Sequence, residues 1–330
     1  MRRFLKRVFL FVSVPVLLLA ALYFLTDPYK TLKPFSLDYF DDTNRDYLSS
    51  ELFLMNYPTY KYDSFIFGSS RGCGINTYHW AKYLPAGSKQ FLFQGWDETI
   101  TGIDQKVSYI DEKNHDLNNA LVLLDIPGSF TKNQEPIEAM RIKDPHFSHQ
   151  PRWLFQAILF YDFMQKPSQW LIALKESLSQ TSPHIEFDVI SNDWDAENKH
   201  RDLTVSPIKD SLRNMSTISR RAFLKSIGNV DTLTVSKPLI NDFTIKRLNH
   251  IKRVFDRRHT SFKIIITPGF CYSYPKISPV DLDVLNSIFG PENVYDYSGE
   301  NEWTLDFNNY TDPNHFGLYV GWQMIEGIYD

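Results

Sequence analysis

Apolar positions along this chain follow two rhythms. Short, near-continuous apolar runs end at a glycine, a proline or a turn, and longer stretches between them repeat apolar residues every three or four positions. The short runs are Asp63–Gly68, Gln90–Gln94 with Gly95 after it, Ala120–Ile126, Phe262–Thr267 stopped by Pro268-Gly269, and Asn293–Tyr297. Runs without polar alternation predict strands covered on both faces, the usual state of a parallel sheet. Between them, Ile100, Ile103, Val107 and Ile110 share one helix face, and Phe243, Leu248, Ile251 and Phe255 share another. Val280–Phe289 reads as a further helix, and a last one is expected from near His315 to about Ile328. Strands alternating with helices predict βαβ units. The expected fold class is therefore α/β: a doubly wound, flavodoxin-like sheet of five parallel strands.

Two stretches break the rhythm. From Pro127 to Asn241 there are helical segments and loops without clear strands, which predicts a helical cap inserted over 127–241. Within it, Trp153–Met164 and Trp170–Leu178 are aromatic and apolar but too short to cross a bilayer, so a buried or interfacial helix is expected. Ser191–Ser211 is polar and reads as a surface loop. The other interruption is N-terminal. Arg2, Arg3, Lys6 and Arg7 precede an uncharged apolar run, Val8–Leu25, whose helix-weakening residues are Ser13 and Pro15. Such a run is long enough to span a membrane. The basic cluster stays on the cytoplasmic side under the positive-inside rule, and Tyr23 and Tyr29 suit the far interface. A cleaved signal peptide is the competing reading. No A-x-A site follows, because the exit reads Ala20-Ala21-Leu22-Tyr23-Phe24-Leu25-Thr26-Asp27-Pro28. An uncleaved anchor is expected, and in either case the chain after Asp27 is exported. The predicted organisation is a basic tail and transmembrane anchor over 1–27, a stalk over 28–62 that comes to lie against the domain, and an α/β domain over 63–330. That places the protein in the cytoplasmic (inner) membrane, single-pass, N-terminus in.

Composition narrows the function. The formal net charge is -4 with 22% charged residues, which argues against a nucleic-acid partner, since such partners select a basic face. Two cysteines exclude a disulfide framework. Two buried thiols are the plain reading; a Cys73–Cys271 bridge is conceivable, as both follow strand ends. His146 and His149 have a spacing a metal could use, but no further ligand is evident, so they read as surface or cap histidines. No metal and no cofactor are expected. Trp80, Trp96 and Trp303 fall near the predicted rim, where they pack or stack on a sugar.

The chemistry lies in two short motifs. Gly68-Ser69-Ser70-Arg71 ends the first strand, where doubly wound sheets form their ligand crevice. Glycine permits a sharp turn there, and free amides at the following helical turn can hold an oxyanion. Asp312-Pro313-Asn314-His315-Phe316 lies just before the last helix. An aspartate three residues ahead of a histidine can reach its Nδ1 and leave Nε2 pointing outward, as a base serving a serine requires. The alternative is an N-cap aspartate with a bystander histidine. Arg71 either contacts an anionic substrate group or pairs with a neighbouring carboxylate. Cys73 lies close to Ser70, with nothing in the sequence to depress its pKa.

In their order and their places at the first strand and last helix, the two motifs resemble the SGNH (GDSL-like) hydrolase superfamily. The chain looks most like its membrane-anchored members that handle acylation of envelope polysaccharide or teichoic acid. The resemblance covers about residues 60–330 less the cap. It implies Ser70 as nucleophile, His315 as base, Asp312 as its orienting carboxylate, and the amides of Ser70 and Gly95 as oxyanion donors. The family's Gly-x-Asn-Asp block after the third strand is replaced by Asp125-Ile126-Pro127-Gly128-Ser129. An ionised aspartate cannot donate as that asparagine does. The resemblance implies an extracytoplasmic serine esterase or O-acyltransferase working through an acyl-enzyme. Its expected partners are the membrane, an acylated glycan or acyl donor, and other envelope polysaccharide proteins. The other expectation is a catalytically inactive scaffold or glycan-binding component.

Overall fold

The computed structural model describes residues 1–130, 138–179, 185, 187–194, 235–271 and 273–330. In chain order its longer elements are α1 (Arg2–Thr26), α2 (Arg45–Tyr60), β1 (Ser64–Gly68), β2 (Gln90–Gln94), α3 (Ile100–Glu112) and β3 (Asn119–Leu124). Then come α4 (Arg152–Met164), α5 (Pro167–Ser179), α6 (Asp242–Arg258), β4 (Ser261–Ile266), α7 (Pro279–Phe289), β5 (Val294–Asp296), β6 (Tyr310–Asp312), β7 (His315–Phe316) and α8 (Leu318–Tyr329). They form two compact units: Met1–Glu51 with Glu135–Ile185, and Leu52–Gln134 with Glu186–Asp330.

The second unit holds the sheet. Its strands run in the order β2-β1-β3-β4-β5, all parallel, the doubly wound order expected. Gly68 pairs with Gln94, and Leu124 with Ile266, so the carboxyl ends of neighbouring strands finish together. Side chains alternate across the sheet. Ile66, Leu92, Leu121 and Leu123 face a cluster with Val320, Met324, Ile325 and Ile328 of α8. On the strands' alternate positions, Phe65, Phe67, Phe91 and Phe93 gather around Phe53 of α2, whose ring lies 5.2 Å from that of Phe93. Each such ring, fully buried, contributes about 1.5–3 kcal/mol. The predicted face of α3 is buried throughout. On α6, Val254 takes the inward place expected of Phe243, which is instead exposed with Arg247 over its ring.

The start of the expected surface loop at Ser191 is not solvent-borne. The Leu92 amide donates to Ser191 O at 2.8 Å, and Asn192 Nδ2 donates to Leu92 O at 2.6 Å. Residues 187–194 thus cover the outer edge of β2, an edge that would otherwise expose unpaired backbone groups. The rest of that loop lies outside the described residues.

The first unit is built on aromatic packing. Tyr23, Tyr29, Tyr47, Phe155, Leu159, Phe163 and Ala173 share a core. Tyr23 and Tyr29 both turn into this core: the Tyr23 hydroxyl donates to Gln156 Oε1 at 3.0 Å and that of Tyr29 to Asp162 Oδ2 at 2.6 Å. α1 is long and apolar enough to cross a membrane, with a mean hydropathy of 2.7 over its most apolar window. It ends at Asp27, whose left-handed backbone (φ 44°) turns the chain and whose carboxylate accepts from the Thr31 and Leu32 amides and the Tyr39 hydroxyl. Residues 28–62, expected as a stalk, contain α2, with Leu48, Leu52 and Phe53 fully buried. Much of the cap expected over 127–241 lies outside the described residues. The part that includes α4 and α5 groups with Met1–Glu51.

Candidate active site

β1 ends at Gly68, where a Cβ would lie 2.7 Å from the Leu123 side chain, so only glycine lets β1 and β3 approach here. The chain then turns through a 3-10 helix, Ser70–Gly74, capped by Ser69. Of the first amides of that turn, Gly72's donates to Ser69 O and Arg71's to Ser69 Oγ, while Ser70's has no acceptor among the described residues. That amide is the kind of orphan donor a helical turn presents to an anion.

The opposite wall comes from a small antiparallel hairpin. β6 and β7 pair Tyr310 with Phe316 and Asp312 with His315 around the turn Pro313-Asn314. His315 therefore sits on a strand, and α8 begins at Leu318 rather than at the histidine. The hairpin is held by Phe270, whose amide donates to Pro313 O at 3.1 Å. Close packing fixes hairpin, turn and helix: a Cβ on Gly74 would meet the Phe316 ring at 2.4 Å, and one on Gly321 would meet Gly74 O at 1.8 Å.

Ser70, His315 and Asp312 meet across this junction. Ser70 Oγ is 2.8 Å from His315 Nε2, and His315 Nδ1 is 2.7 Å from Asp312 Oδ2. The carboxylate accepts a hydrogen bond from Nδ1–H, so Nε2 is left to accept from the serine hydroxyl. Oδ1 of Asp312 also accepts from the amides of Asn314 (2.7 Å) and His315 (3.1 Å). Burial pushes the Asp312 carboxyl up, but the hydrogen bond and charge of His315, with those two amides, outweigh it and hold the group below the usual carboxylate value. Ser70 is 9% exposed, and the two partners are more open.

The other expected site residues fare differently. The Gly95 amide donates to Gly68 O at 3.2 Å, continuing the β1–β2 ladder one step further. It is a ladder donor, not an oxyanion donor as the structure stands. Arg71 is buried among internal partners and not offered to an anionic substrate group. Its Nε and Nη2 donate to Asn314 Oδ1 at 3.2 and 2.7 Å, Nη1 donates to Thr267 Oγ1 at 2.9 Å, and the guanidinium lies 4.6 Å from the centre of the Tyr274 ring. Nη1 is also 3.8 Å from Asp125 Oδ1. Asp125 accepts from Thr267 Oγ1 at 2.6 Å and from the Ser69 hydroxyl. Asp125, at the end of β3, thus acts as an acceptor beneath the serine turn.

Cys73 and Cys271 are both thiols, with no disulfide between them, and Cys73 Sγ donates to Gln94 Oε1 at 3.1 Å. Trp80 is core, its indole donating to the Tyr329 hydroxyl, and Trp303 packs on Tyr297. In the other unit, His146 meets Glu51 and Asp144 with ligand atoms within 4.8 Å of one another. Its Nδ1 already lies 3.0 Å from Asp144 Oδ1, and Asp144 is the N-cap of the short helix Pro145–Ser148, so a local cap accounts for the group.

Sequence reasoning gave no role to Ser69, Thr267 and Asn314, and read Asp125 as a lost donor without seeing what it accepts. Three of the four follow the carboxyl ends of strands, the position where doubly wound sheets carry their functional groups, and that rule was the available signal. No protein-family model matches the chain, and no curated protein matches it.

Proposed function

We propose that this protein is a membrane-anchored, extracytoplasmic serine esterase or O-acyltransferase acting on an acylated envelope glycan. The observation that carries the reading is the continuous line Asp312 carboxylate, His315 imidazole, Ser70 hydroxyl at the carboxyl edge of a parallel sheet. In the reaction, Ser70 Oγ attacks the acyl carbonyl as its proton passes to His315 Nε2. The tetrahedral intermediate collapses, and the leaving alcohol takes that proton, giving an acyl-enzyme. A water or a sugar hydroxyl then attacks, its proton passing to Nε2 and on to the departing Ser70. Asp312 holds the tautomer and stabilises the imidazolium. The Ser70 amide supports the oxyanion. The glycan and the acyl group come from the family resemblance and from export of the domain, with Arg2, Arg3, Lys6 and Arg7 retained inside.

A second reading is favoured by one observation: the Gly95 amide is engaged and Asp125 replaces a donor. Loss of one oxyanion donor costs about 10²–10³ in rate. On this reading the fold is a non-catalytic scaffold or glycan-binding component. The test is labelling of the detergent-solubilised chain with a fluorophosphonate probe, alongside turnover of an acetyl ester. The enzyme reading expects labelling that vanishes in Ser70→Ala and turnover that vanishes in His315→Ala. Labelling that persists in Ser70→Ala removes this serine as the nucleophile, and a folded chain that neither labels nor turns over supports the scaffold.

A further inference from the structure

α5 is an amphipathic helix turned partly outward. Trp170 and Ala173 face the core of its unit, in the same cluster as Leu22 and Tyr23 near the end of α1. Leu171, Leu174 and Leu178 follow one another at i, i+3 and i+7, so they form a single stripe beside that inward face. They are 74%, 45% and 77% exposed. Glu176, on the side of the helix opposite that stripe, is exposed as well, and Lys175, four residues after Leu171, lies beside the stripe. A soluble surface rarely carries such a stripe without a reason.

Its depth along α1 suggests what covers it. Val8–Leu25 rises roughly 27 Å at 1.5 Å per residue, close to the hydrocarbon thickness of a bilayer. Leu22 and Tyr23 therefore sit near the outer limit of the apolar span, and α5 packs against them there. Phe24 and Leu25, beside them, point away from the protein and are exposed. The leucine stripe of α5 thus continues the apolar surface of α1 at the level where acyl chains meet headgroups. Trp153 of α4, also exposed, is of the residue type that favours that boundary.

We infer that α5 is an interfacial helix that lies in the outer leaflet surface with Leu171, Leu174 and Leu178 in lipid, so that the protein is held by the span and this helix together. The inference rests on α1 being a span. Two contacts with the membrane would restrict how the first unit tilts over the bilayer, where a single span would leave it free to swivel.

The test uses the full chain reconstituted in phosphatidylcholine–phosphatidylglycerol vesicles. Spin labels are placed singly through Phe11→Cys, Leu174→Cys, Leu178→Cys and Glu176→Cys, in a background where Cys73 and Cys271 are replaced by alanine. The expected result is that labels at 11, 174 and 178 relax with oxygen, which partitions into lipid, and the label at 176 relaxes with an aqueous nickel chelate. Labels at 174 and 178 as open to nickel as that at 176, with 11 in lipid, would overturn the inference alone. An aqueous label at 11 would overturn the anchor and the inference with it. Protection from both reagents at 174 and 178 would mean a protein partner and also overturn it. Should the alanine background fail to fold, a photo-crosslinking amino acid at 174 in the natural background gives the same decision: lipid adducts support the interfacial helix, and their absence sinks it.

Discussion

Arg71 shows how a single residue can carry two very different readings until its neighbours are known. From the sequence it was the residue after a candidate nucleophile, and a charge in that place invites a substrate. In the fold its three nitrogens join the hairpin at Asn314 to the ends of β3 and β4 at Asp125 and Thr267. The guanidinium thereby sets where His315 stands relative to Ser70. Ser70, Asp312 and His315 were legible because each motif is short and its chemistry lies in residue type and spacing. The partners of Arg71 were not, because they come from two separate strand ends and a turn. Arg71→Met is therefore expected to act on stability first. It leaves Asp125 buried without its cation, and loss of one partner from a buried pair typically costs about 3–5 kcal/mol. Chemical unfolding should show that loss, and Arg71→Met with Asp125→Asn should recover much of it. If Arg71→Met unfolds like the natural chain but weakens an anionic substrate, the guanidinium serves the substrate after all.

At the level of elements, the five strands could be read to within a residue or two because burial on both faces imposes long apolar runs. α2 could not: Pro58 in its last turn and its clustered tyrosines resemble a broken, half-exposed segment, although Phe53 anchors it in the core. The strap over β2, residues 187–194, was hidden for the opposite reason, since its Asn192 and Asp193 are polar and still buried. Asp193 is one of them, accepting from both the amide and the hydroxyl of Thr77. Burial pushes its carboxyl from 3.8 up to about 6, a shift its hydrogen bonds reduce without cancelling. The folded chain therefore holds a proton that the unfolded chain releases between those values. Stability from this group is complete below the lower value and falls as pH rises through the window, by about 3 kcal/mol in all. Thermal unfolding followed from pH 4 to pH 6 should show that decline, and Asp193→Asn should flatten it. A variant with the same slope as the natural chain would assign the decline to other groups.

For the molecule as a whole, the boundary between the apolar helix α1 and its folded unit is not a hinge but an overlap. The last turn of α1 belongs to both. Tyr23 is 1% exposed, among Phe160, Phe163 and Tyr29, while its neighbours Phe24 and Leu25 point outward. A leader peptide removed anywhere near Asp27 would take Tyr23 out of that core and leave the Gln156 side chain without its donor. Removal of a large buried aromatic side chain costs about 3–5 kcal/mol, and a truncation removes the backbone around it as well. Two shortened chains separate membrane attachment from folding. A chain of residues 21–330 keeps Tyr23 and loses most of the apolar run; one of 28–330 loses both. The first should leave the membrane fraction on alkaline extraction while its first unit unfolds close to the full chain's midpoint. The second should unfold at least about 3 kcal/mol more easily, read from the transition of that unit in denaturant. Equal stability of the two would mean that α1 contributes nothing to the fold beyond its attachment. Mass spectrometry of the membrane-extracted protein should then find the apolar segment still attached, because a chain cleaved there would lack part of the core that its own sequence supplies.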